Sequence, residues 1–90
     1  MICTVGQLTL HIPYVHSLKE KRRVVKSVIE KTIQIFHVSC IEAEHQDLWQ
    51  KASIGIAYVS CNNVLADKME NAIRAFYDEN MAFEITDVQF

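Results

Sequence analysis

Ninety residues carrying a formal net charge of −2, half of them hydrophobic and 22% charged, describe one folded domain, residues 1–90, with a single core rather than a disordered tail or a two-domain chain. That balance excludes a surface that attracts nucleic acid from every side, so any such binding has to use a local patch. Cys3, Cys40 and Cys61 are odd in number, widely spaced and set in apolar runs, which excludes a disulfide framework and a CxxC metal or redox motif. Free thiols in a reducing cytoplasm are expected. There is no basic segment leading into an apolar leader, and no apolar run reaches the ~18–20 residues that span a bilayer, so a cytoplasmic protein is expected.

The predicted elements follow in chain order. From Ile2 to Ile12, Leu8, Leu10 and Ile12 alternate with Gln7, Thr9 and His11, the pattern of a half-buried strand, which Pro13 ends. Ser17-Leu18-Lys19-Glu20 is a capping box: the Ser17 hydroxyl can accept from the Glu20 N–H while the Glu20 carboxylate reaches back. The helix it opens carries Leu18, Val25, Val28, Ile29, Thr32 and Phe36 on one face, and Lys19, Arg22, Arg23, Lys26 and Glu30 on the other. A second strand over Val38 to His45 slips phase between Val38/Cys40 and Ile41/Ala43, as a β-bulge produces.

The segment Gln46 to Trp49 leads into a third strand, Lys51 to Ser60, that pairs with the second as a hairpin. Asn62 or Asn63 can cap a second helix on which Leu65, Met69, Ala72, Ile73 and Phe76 recur at three- and four-residue intervals, and Asn80 can end it in the left-handed conformation. Phe83 to Phe90 is a fourth strand. The order βαββαβ predicts an α+β, ferredoxin-like sandwich: a four-stranded antiparallel sheet with both helices on one face.

Tracing strand directions through that topology brings the loop Pro13 to Ser17, the start of the first helix, the hairpin around Glu44 to Trp49 and the turn at Asn80 to Ala82 to the same end. Two motifs meet there, Ser17-Leu18-Lys19-Glu20-Lys21-Arg22-Arg23 and Glu44 followed by His45-Gln46-Asp47-Leu48-Trp49-Gln50. With these motifs, and with a small-residue strand Ala52 to Ser60 followed by an Asn, the chain resembles the YlxP-like family of bacterial proteins of unknown function over essentially its whole length. The resemblance implies a ferredoxin-like fold in a protein often encoded beside translation and ribosome-maturation genes, and no established activity. The family's usual Asp after the Ser-Asn that opens the second helix has no counterpart in Ser60-Cys61-Asn62-Asn63.

Lys19, Lys21, Arg22 and Arg23 occupy the first turns of a helix, where the macrodipole makes each cation unfavourable by a few tenths of a kcal/mol, and Lys26 follows as a further candidate contact. Such a cluster points to an anionic ligand, RNA phosphate or a small phosphorylated molecule. The alternatives are a solvated face or pairing with Glu42, Glu44 and Asp47 within the molecule. The hairpin motif Glu44, His45, Gln46, Asp47 and Trp49 is the second candidate contact region. Trp49, with Leu48, is expected to cap the end of the core, its functional alternative being a platform for a base or a partner's anchor.

His11, His16 and His45 beside Glu44 and Asp47 contain ligand types suited to zinc or acid–base work, but no HExxH or comparable spacing supports a metal site, and none is assigned. No cofactor motif is present. The sheet face away from the helices should show Cys3, Val5, Gln7, Thr9 and His11 beside Lys51, Ser53, Gly55, Ala57 and Val59. It carries no aromatic, so RRM-style base stacking on the central strands is not expected, whereas its small, mildly apolar character suits a homodimer. With no nucleophile beside a base and no phosphate loop, the leading reading is a non-enzymatic module that engages RNA or a ribosome-associated partner through the start of the first helix and the hairpin. The alternative is a dimeric domain that binds a small anion or regulates a protein partner.

Overall fold

The computed structural model describes residues 1–45 and 48–90. Strand β1 (Ile2–His11), helix α1 (Leu18–Phe36), strands β2 (Ser39–Glu44) and β3 (Lys51–Ser60), helix α2 (Asn63–Asp78) and strand β4 (Glu84–Gln89) follow in the order βαββαβ. The strands make one sheet in the order β2-β3-β1-β4, each neighbouring pair antiparallel. This is the ferredoxin-like arrangement, in which each helix links two parallel strands separated by a third.

Alternation decides which face is covered. Leu8, Leu10 and Ile12 from the first strand segment and Ala52, Ile54, Ile56 and Tyr58 from β3 are buried beneath the helices. Each such large aliphatic side chain contributes about 1.5–3 kcal/mol by leaving water. Helix α1 adds Val25, Val28 and Thr32, and α2 adds Ala66, Ile73 and Tyr77. The Phe90 ring lies over Gly6, where an added Cβ would overlap it, and the Arg74 guanidinium stands 5.4 Å from the centre of that ring.

Ser17 caps α1, its hydroxyl accepting the Glu20 N–H at 3.2 Å. The Glu20 carboxylate reaches back one residue further than a standard box and accepts the His16 N–H at 2.7 Å. At the far end His37, not a glycine, takes the left-handed conformation (φ 55°) and donates its N–H to the Ile33 carbonyl. Asn62 caps α2 through a 2.9 Å bond from the Leu65 N–H. The expectation of a left-handed Asn80 is corrected: Glu79 ends α2 in the right-handed region, and the Asn80 side chain instead accepts the Ala82 N–H at 2.8 Å, an Asx turn that serves the same reversal.

Between the helices lies one buried polar group. The Thr32 hydroxyl donates to the Val28 carbonyl at 2.6 Å, so the Tyr77 hydroxyl, 2.7 Å away, donates to Thr32. Burial pushes the Tyr77 phenol above its ordinary range, the bond to Thr32 opposing that rise. The Cys40 thiol beside it is pushed up for the same reason.

A bulge is present in β2, but not at the expected slip between Cys40 and Ile41, which alternate normally: Glu42 pairs with Ile54 and Glu44 with Ser53, leaving Ala43 extra. Glu42 lies on the helix-facing side by ordinary alternation with Cys40, ahead of the bulge. Partners cover only part of the two long central strands, since β4 pairs with β1 over Gln7 to His11 and β2 meets β3 over Ser53 to Ala57. At the other end β1 and β3 continue as a two-stranded ribbon, contributing to the long axis of a 42 × 22 × 20 Å molecule.

Candidate functional site

The two motifs do meet at one end. The loop after β1 is tied to the hairpin by the Ile12 N–H on the Gln50 carbonyl at 2.9 Å and by the Gln50 side-chain amide on the Val15 carbonyl at 3.3 Å. The strongest link is Lys21. Its ammonium lies 2.8 Å from a Glu42 carboxylate oxygen and donates to the His45 carbonyl at 2.6 Å, and the side chain is 0% exposed against 18% for Glu42.

Lys21 therefore leaves the set of candidate anion ligands. A buried ammonium costs several kcal/mol in lost hydration unless a carboxylate and hydrogen bonds replace the water, and Glu42 with the His45 carbonyl supply that replacement. His45 is held with φ 63°, a left-handed conformation that presents its carbonyl to the ammonium at a cost of about 1–2 kcal/mol. Among the described residues, the pairing of motif cations with hairpin acids holds for Lys21.

The remaining cations point outward. Lys19, Arg22, Arg23 and Lys26 are exposed. Among the described residues, only Lys26 of the four has an ionic partner, Glu30 at 3.9 Å, a surface pair of the kind worth 0–1 kcal/mol. Exposed Lys31 extends the row: Arg23, Ser27 and Lys31 line a groove between α1 and the turn at Asn80 and Ala82. Lys31 is legible in the sequence from the four-residue spacing Arg23, Ser27, Lys31 along one helix face.

On the hairpin, Glu44 is exposed and its carboxylate stands 3.8 Å from the His45 imidazole. Gln46 and Asp47 lie outside the described residues. Among the described residues no three His, Cys, Asp or Glu side chains come together as a metal site. The expectation for Trp49 needs correction: it is 45% exposed, Leu48 is 49% exposed, and neither belongs to the core. Trp49 instead lines a shallow groove with His16, Ser17 and Leu18. By contrast, Ile12, Val15 and Phe83 are buried in the core.

The open sheet face is as predicted in composition, with Val5, Val59 and Ile41 exposed to 69%, 65% and 62%. Ser53 on that face is nevertheless buried and takes a hydrogen bond from the Gln7 amide. A larger groove lies at the opposite end from the motifs, lined by Cys3, Ile33, His37, Val59 and Met69 among others.

A family model described as a protein of unknown function, DUF503, matches residues 3–90. The chain belongs to the DUF503 family. It is 41% identical over 70 residues to the uncharacterized protein YlxP of Bacillus subtilis strain 168, an alignment covering 78% of this chain and 76% of the relative. The family resemblance read from the two motifs is thus shown. Among the described residues no helix is long and apolar enough to cross a membrane.

Proposed function

We propose that this DUF503 protein is a non-enzymatic module that binds RNA through the outer face of α1, with Lys19, Arg22, Arg23 and Lys26 contacting phosphates and the Glu44–Trp49 hairpin bordering the contact. The observation that carries the reading is the division within one motif. Lys21 is consumed by Glu42 and His45, while the cations on either side of it stay exposed near a helix N-terminus that disfavours positive charge. Phosphates that bridge such cations relieve both their mutual repulsion and their conflict with the dipole. The setting among translation genes implied by the family resemblance makes RNA the first polyanion to test.

Fluorescence anisotropy of labelled RNA, with the wild type against Arg22→Glu/Arg23→Glu, tests it directly. Binding by the wild type that is abolished by the double reversal supports the proposal, and equal binding by both proteins ends it.

A second reading concerns the open sheet face, where Val5, Ile41 and Val59 lie exposed beside small residues. This patch favours a homodimer through the sheet. Sedimentation equilibrium at micromolar concentration would show a dimer that Val5→Lys/Val59→Lys dissociates. A strict wild-type monomer would remove this reading without touching the first.

A further inference from the structure

Trp49 is the single tryptophan of the chain, and it stands exposed on the hairpin. The backbone on both sides of it is fastened: the Leu48 N–H donates to the His45 carbonyl at 3.1 Å, the Gln50 carbonyl accepts from Ile12, and the Gln50 side chain bonds to Val15. Lys21 holds His45 from beneath. These bonds anchor the backbone that carries the indole, yet 45% of the residue remains open to solvent and it is not part of the core. An aromatic held this way pays little ordering entropy when a flat ligand lands on it.

The groove that Trp49 lines is shared with His16, Ser17 and Leu18. Lys19 and Arg22 follow Leu18 by one and four residues along α1, so positive charge begins within about one helical turn, ~5.4 Å, of the groove. A flat apolar platform beside a row of exposed cations is the combination that single-stranded nucleic acids engage, their bases stacking while phosphates follow the charge. The negative charge of such a strand complements this row. A duplex presents its phosphates as well, but its bases are already stacked on both sides and cannot reach the indole without unpairing.

We propose that Trp49 is a stacking platform for one unpaired base of a single-stranded nucleic acid whose phosphates lie over Lys19 and Arg22. The inference rests on the reading of α1 as the RNA-binding face and adds what that face selects: unpaired over paired strands, with little dependence on base identity. It also locates base stacking on the hairpin, away from the open sheet.

Because Trp49 is the sole tryptophan, its emission reports on the site in the unmodified full chain. The experiment titrates the protein with a single-stranded ten-nucleotide RNA and with a fully paired RNA duplex. Tryptophan emission and the anisotropy of a label on the RNA are followed in parallel. The expected result is saturable quenching by the single strand at the concentrations where anisotropy rises, with weaker binding and little quenching by the duplex. Trp49→Ala should weaken single-strand binding about 5- to 100-fold, and Trp49→Phe should keep most of it.

Circular dichroism of both variants should match the wild type, since the residue lies outside the core. Were Trp49→Ala to misfold, the wild-type quenching would still decide. Anisotropy that rises and depends on Arg22 and Arg23 while tryptophan emission stays flat would overturn the stacking proposal and leave the basic-face reading standing. No rise in anisotropy with either RNA would overturn both.

Discussion

The inner and outer sides of the first two turns of α1 share one stretch of basic sequence but have opposite electrostatics. On the inner side Lys21 points into the sandwich, where a carboxylate and a backbone carbonyl replace its water. On the outer side Lys19, Arg22 and Arg23 keep their water and, among the described residues, have no ionic partner. The same residue type is thus a structural tie in one position and an open charge in the next. What separates them is helical phase, since Lys21 precedes the buried Val25, Val28 and Thr32 by four, seven and eleven residues and so shares their stripe, whereas Lys19, Arg22 and Arg23 fall off it. A run of charges on a helix therefore has to be divided by phase before any of it is assigned to a ligand.

The largest effect should come from the inner side. Lys21→Met leaves Glu42 without its ammonium and should cost about 3–5 kcal/mol in a urea unfolding experiment. Adding Glu42→Leu should recover part of that loss, because an apolar pair avoids the uncompensated charge. A loss below about 1 kcal/mol from Lys21→Met alone would erase the distinction between the two sides.

Tyr77 provides a second, pH-dependent test of the interior. Its pKa and that of Cys40 are both raised in the folded state by burial. Above the unfolded values, about 8.5 for Cys and 10 for Tyr, the unfolded chain loses these protons first, so the folded state binds more protons and stability falls as pH rises. This contribution is fully present below about pH 8 and is lost progressively in alkali. Tyr77→Phe should cost about 1 kcal/mol at neutral pH, and its thermal midpoint should decline less steeply above pH 10 than the wild type's.

Smaller still is the cap that starts the helix. Ser17→Ala removes the acceptor for the Glu20 N–H and should cost about 1 kcal/mol by denaturant titration, with RNA affinity falling only as far as the helix start frays. The outer cations sit at the bottom of this order. Arg22→Glu/Arg23→Glu should change stability by no more than about 0.5 kcal/mol, so that lost binding in this variant reports on the surface and not on folding.

How much of this was legible in the sequence depends on whether the decisive partner is near or far along the chain. Period-two alternation around Leu8 and Leu10 and the Ser17/Glu20 box are local signals, and each located its element. The bulge lies beyond the expected slip: Cys40 is buried and Ile41 exposed in ordinary alternation, and the extra residue is Ala43. Lys21 was misread because its charge argued for solvent while its spacing from Leu18, Val25, Val28 and Thr32 argued for the interior. Its partner Glu42 belongs to another element and becomes visible only once the hairpin is in place. Asn80 was assigned a left-handed turn on residue type alone, but an Asx turn closes that corner, and the left-handed positions fall at His37 and His45. Trp49 was expected inside because large aromatics usually are, and only the three-dimensional arrangement shows it exposed while Ile12, Val15 and Phe83 are buried in the core.

The central claim, that the outer face of α1 is an electrostatic surface for RNA, is tested most directly by the salt dependence of binding to a single-stranded RNA. Four phosphate contacts, at about −0.7 each for a single strand, give a slope of log K against log salt of about −3. The account predicts that slope for the wild type and a markedly shallower one for any residual binding by Arg22→Glu/Arg23→Glu. Affinity that does not change with salt, or an unchanged slope in the double variant, would contradict it.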